Sequence, residues 1–114
     1  MYTDFEVGNT TYKLRLTTKG AMSLEKALGG RNPISMLLEF DEGKVPMITE
    51  MITILHAMLQ PLNHGITLET ACDIYDGFIA SGKTMFDLIP VFVEVFKESG
   101  FISKNAGQSE EEKN

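Results

Sequence analysis

The hydrophobic period of this chain changes once, after Leu16, and that change limits the folds open to it. Before it, Phe5 and Val7 fall on one side of a strand, and Tyr12, Leu14 and Leu16 on one side of the next; Glu6, Lys13 and Arg15 take the opposite side. Alternation with a period of two predicts a half-solvated hairpin, and Gly8-Asn9-Thr10-Thr11 is the right length to connect it. A two-stranded hairpin is marginal in water. It must therefore pack on the rest of the chain, or pair with another copy through an exposed edge.

After Leu16 the apolar residues recur at helical spacing. Thr17 or Thr18 can cap a helix in which Ala21, Leu24 and Leu28 share a face, and Gly29-Gly30 ends it. Asn32-Pro33 starts another, with asparagine as N-cap and proline at the first helical position, and Ile34, Leu37, Leu38 and Phe40 make it short and apolar. Asp41-Glu42-Gly43-Lys44 reads as a polar turn. Pro46 opens the clearest periodic stretch: Met47, Ile48, Met51, Ile52, Leu55, Met58 and Leu59 repeat at three- and four-residue steps, and Pro61 limits it. Thr67 caps a fourth helix, with Leu68, Ala71, Cys72, Tyr75 and Ile79 assigned to its buried face, and Ser81-Gly82 breaks it.

Thr84 with Asp87 three residues on resembles a capping box for a last helix ending near Gly100. The run Val91–Phe96 is rich in strand formers, but the cap and the glycine stop favour a helix, which Pro90 kinks or begins. The expected fold is α+β, mainly α: an N-terminal β-hairpin followed by about five helices in a compact bundle. One globular domain is expected over 1–102, and a disordered polar tail over 103–114, which ends Glu110-Glu111-Glu112-Lys113-Asn114.

Composition narrows function more by exclusion than by indication. A net charge of −6 makes nucleic acid and anionic membrane poor partners. No stretch approaches the ~18 apolar residues of a membrane span. The N-terminus lacks the features of a secretory signal, and the single cysteine, Cys72, cannot form an internal disulfide, so a reducing cytoplasm is expected.

One motif points to chemistry. Gly77-Phe78-Ile79-Ala80-Ser81-Gly82-Lys83-Thr84 fits G-x-x-x-x-G-K-[ST] letter for letter, the pattern of a loop that cradles nucleotide phosphates. That loop follows a buried strand. Here the preceding residues have helical periodicity, Phe78 and Ile79 are bulky, and no later strand ends in a second magnesium ligand. Ser81-Gly82 as a helix end and Thr84 as the next N-cap is the preferred reading; a nucleotide-binding protein is the alternative.

His56 and His64 are too few for a zinc site, and Cys72 has no base placed beside it, so it is assigned to the core. No catalytic residue, cofactor or metal is expected. The apolar excess of the last helix is more informative. Met85, Phe86, Ile89, Phe92, Val93 and Phe96, with their neighbours, leave almost no polar face. Such an element is either central in the core or buried against another chain, and these six are the candidate partner-binding residues.

The block Phe5-x-Val7-Gly8…Tyr12-x-Leu14-Arg15-Leu16, with Leu24-Glu25-x-Ala27-Leu28-Gly29-Gly30 and Pro33-Ile34-x-x-Leu37-Leu38, resembles the small tail assembly chaperones of long-tailed bacteriophages and related gene-transfer-agent tail components. More loosely, the similarity extends over residues 3–102. The resemblance implies a non-enzymatic, mostly helical protein of the bacterial cytoplasm that coats the tape-measure protein, recruits tail tube subunits and self-associates as a homo-oligomer. It also implies that the gene can yield a longer, frameshifted product. The family supplies no catalytic residues to carry over. A generic helical interaction module is the remaining alternative.

Overall fold

The computed structural model describes residues 1–105. Thr3–Val7 (β1) and Thr10–Leu14 (β2) pair antiparallel with Phe5 opposite Tyr12. Gly8, the first central residue of the two-residue turn, has φ +60°, and Asn9 stays at negative φ. This is the pattern of a type II′ turn, whose twist matches that of the strands and whose first position glycine adopts without a Cβ clash. Five helices follow: α1 (Thr18–Ala27), α2 (Pro33–Asp41), α3 (Ile48–Leu59), α4 (Leu68–Ala80) and α5 (Leu88–Glu98), the last preceded by a 3₁₀ turn over Met85–Asp87. The fold is α+β and mainly α, with one two-stranded sheet among the described residues.

Local chemistry sets the helix boundaries. Thr17 Oγ1 accepts from the Gly20 N–H at the start of α1, Asn32 Oδ1 from Ile34 and Ser35 at α2, and Thr67 Oγ1 from Thr70 at α4. Asp87 Oδ2 accepts from the Thr84 N–H at 2.8 Å, opening the turn into α5. Val91–Phe96 is helical, with Pro90 in the first turn of α5, where its missing N–H has no intrahelical partner to lose. At the other end, Gly100 (φ +85°) reverses the chain. The Phe101 N–H then reaches the Phe96 carbonyl at 2.9 Å and the two rings meet edge to face at 6.1 Å. A 6→1 bond and an apolar contact of this kind close a Schellman motif.

The hairpin packs on the helices. Phe5, Leu14 and Leu16 are at most 2% exposed, and β1 lies against α4 and α5 while β2 lies against α3. Full burial of each such side chain contributes about 1.5–3 kcal/mol, which offsets the marginal stability of two strands alone. Polar ties set its position. The Arg15 N–H donates to the Met58 carbonyl, Asn63 Nδ2 donates to the carbonyls of Lys13 and Leu59, and the Leu16 N–H donates to Ser99 Oγ at 3.0 Å.

α3 is the central helix. Met51, Ile54, Leu55, Met58 and Leu59 have no exposed surface, and the helix touches α1, α4, α5 and β2. Met47, expected on this buried stripe, is 64% exposed: it is the N-cap residue, outside the helical turns that carry the stripe inward. In α2 the inward residues are Pro33, Met36, Leu37 and Phe40, and Leu38 faces solvent. Arg31, between α1 and α2, pairs with Glu50 of α3 and lies 3.9 Å from Glu39, which also meets Lys44 at 3.2 Å. These exposed pairs are worth about 0–1 kcal/mol each. They orient the connection more than they hold it.

Of the expected tail, Ser103–Asn105 are described, with Lys104 Nζ 3.5 Å from the Glu98 carboxylate; the rest of 103–114 lies outside the described residues. Among the described residues, no helix is long and apolar enough to cross a membrane.

Candidate functional site

The six residues singled out on the last helix divide between core and surface. Ile89, Phe92 and Phe96 belong to the hydrophobic core. Met85 is half-buried against that core, Val93 is half-buried, and Phe86 is 52% exposed. α5 carries so little polar surface because it is enclosed: α2, α3, β1 and the 3₁₀ turn all touch it. Of the two explanations open to so apolar a helix, the fold takes the internal one. Three of the six side chains are thereby occupied within the chain, and Phe86 alone stands clear of it.

Gly77–Thr84 forms the last turn of α4 and the link to α5. The Ser81 N–H bonds the Gly77 and Phe78 carbonyls, and the Gly82 N–H bonds the Ile79 carbonyl at 3.0 Å. A phosphate cradle needs free backbone N–H groups at a helix N-terminus. This segment is a helix C-terminus, where carbonyls point outward and the dipole is negative. Gly77 has a packing reason instead: a Cβ there would meet Val7 Cγ1 at 3.2 Å, so the glycine lets α4 approach β1.

α4 departs from its expected orientation. Ala71, Ile74 and Phe78 form the buried face, with Phe78 against Phe5 at 5.0 Å between ring centroids. Leu68 is 52% exposed, Ile79 is 37% exposed, and Cys72 is exposed, not in the core; Tyr75 sits half-buried between the two faces. Tyr75 ionises above its ordinary value of 10.0, first because burial disfavours the phenolate and second because Asp76 is beside it. The helix carries two apolar stripes, and α3 together with the hairpin covers the one that meets Phe5. The spacing of Ala71, Ile74 and Phe78 was visible as a second three- and four-residue series, but nothing local to α4 ranks it above the first.

A cleft of about 650 Å³ opens between α1 and α3. Leu24, Ala27 and Ala57 give it an apolar floor, and Lys19, His56 and Gln60 line its polar margin. His56 Nε2 lies 3.1 Å from the Ile66 carbonyl, which also accepts from Gln60 Nε2 at 3.1 Å, so this imidazole holds the loop between α3 and α4. His64 is exposed in that loop. Among the described residues, no group of three or more His, Cys, Asp or Glu side chains could hold a metal ion, and no polar or charged side chain is buried.

Taken together, the hairpin packed on five helices, with some apolar side chains left outward on α2, α3 and α4, defines a small mainly helical α+β protein. The chain belongs to DUF6096, a family of unknown function, which it matches over residues 3–113. No curated protein and no solved structure matches it.

Proposed function

We propose that this protein is a non-enzymatic tail assembly chaperone of a phage or prophage, binding the tape-measure protein and helping to recruit tail tube subunits in the bacterial cytoplasm. The observation that carries the reading is the Phe5–Phe40 block. The residues that bear the resemblance form a hairpin and two short capped helices built into one core with three longer helices. Exposed Leu38, Met47, Ile48, Leu68, Ile79 and Phe86 on an acidic chain support it further. A holding chaperone needs apolar surface to cover a client and net charge to keep the complex dissolved.

The mechanism is passive. Apolar helical stretches of the tape-measure protein are covered until the tube closes around them, and self-association multiplies the surface available. Co-expression with a phage tape-measure protein should raise that protein's soluble yield and co-purify it. A yield unchanged by co-expression, with no co-purification, would sink the reading.

A further inference from the structure

We infer that the outer face of α4 is a docking surface for a basic amphipathic helix of another protein. The inference deepens the chaperone reading and rests on it, because it names the surface and the chemistry of the client segment. Leu68, Cys72, Tyr75 and Ile79 follow one another at helical spacing and fall within about 60° of arc. Leu68, Cys72 and Ile79 are exposed and Tyr75 is half-buried. This is a second apolar stripe, separate from the Ala71–Ile74–Phe78 stripe that the core uses. A helix that needed only to pack on the hairpin would carry polar residues there.

The charges beside the stripe specify the occupant. Glu69, Asp73 and Asp76 form a parallel column about 100° round the helix, all three exposed. α4 contains no lysine, arginine or histidine. An apolar stripe bordered on its open side by carboxylates fits a helix with its own apolar stripe and a border of lysine or arginine, packed side by side with complementary charge. A second copy of this chain fits poorly. An antiparallel two-fold pairing of the stripes would set the two columns of Glu69, Asp73 and Asp76 side by side. The raised ionisation of Tyr75 agrees with an apolar setting next to that column.

The test uses the full chain and its only cysteine. The probe is a synthetic peptide of about 20 residues, long enough to be helical, with leucines at helical spacing and flanking lysines; a control peptide carries glutamate in place of each lysine. Fluorescence anisotropy should show the lysine peptide binding at least about tenfold tighter than the control. Alkylation of Cys72 by a maleimide should slow as the lysine peptide is added. The double variant Leu68→Glu/Ile79→Glu should lose binding, and Asp73→Lys/Asp76→Lys should turn the preference toward the glutamate peptide. These positions are exposed, and circular dichroism will verify that each variant is folded. Equal affinity for both peptides, or Cys72 alkylation unaffected by bound peptide, would overturn the proposal. So would a dimer that Leu68→Glu dissociates, since the face would then belong to a second copy. If docking fails while the tape-measure protein is still captured, the face is wrong and the chaperone reading stands. If docking succeeds without capture, the face stands and the phage reading falls.

Discussion

Tyr75 is the half-buried member of the second apolar stripe of α4, on the edge nearest the core, and its titration reports that position. Burial and Asp76 both raise its ionisation above the ordinary 10.0, so the folded chain holds the phenolic proton more tightly than the unfolded chain does. The resulting contribution to stability is complete below pH 10.0 and is lost as the pH rises through the folded value. Urea unfolding followed into the alkaline range should therefore show a steeper loss of stability in the wild type than in Tyr75→Phe, with the two curves running parallel below pH 10.0. Curves that stay parallel throughout would place Tyr75 in water. At this scale the capping residues were legible: Thr17, Asn32, Thr67 and the Thr84–Asp87 pair each act on backbone groups within three residues. Cys72 was not legible, because the exposure of a side chain depends on which element covers its helix face.

The helices themselves were legible as elements, and the inward direction of two of them was not. α5 reads as helix from its cap and its glycine stop even though Val91–Phe96 has strand-forming composition. The capping geometry and the Schellman closure at Gly100 outweigh β-propensity, which is mostly a statement about packing context. What its apolar residues cover is a separate matter. Phe92 and Phe86 are both aromatic and six residues apart, yet Phe92 is in the core and Phe86 is exposed. Phe92→Ala should cost about 3–5 kcal/mol of stability, enough to lower the thermal midpoint sharply or to unfold the chain. Phe86→Ala should change stability by about 0.5 kcal/mol or less. Similar losses for the two in calorimetry would contradict the burial described for Phe92 in α5 and the exposure of Phe86 in the turn before it. In α4 the difficulty is degeneracy. One stripe contains Ala71, Ile74 and Phe78 and the other Leu68, Cys72 and Ile79, and a periodicity argument scores them alike.

Across the whole molecule, α3 and the hairpin together resolve that degeneracy. Phe5 meets Phe78, Val7 closes on Gly77, β2 lies on α3, and Leu14 and Leu16 belong to the core. Deleting residues 1–16 should therefore do more than trim a terminus. It removes three core anchors and uncovers the Gly77–Phe78 end of the buried face of α4, so cooperative unfolding should disappear from denaturant titrations although far-ultraviolet circular dichroism retains helical signal. A truncated chain that still unfolds in one sharp transition would show the helices to be self-sufficient. The sequence by itself determined the element order, the caps and stops, the existence of the N-terminal hairpin and the acidic balance. Each of these is set by residues in contact along the chain or by composition. Only the tertiary structure decided that α5 is enclosed, that Gly77–Thr84 is a helix end packed under β1, and that α4 turns its second apolar stripe outward. Those outcomes depend on which distant element buries which face, and the largest gain in buried apolar surface, not local spacing, makes that choice.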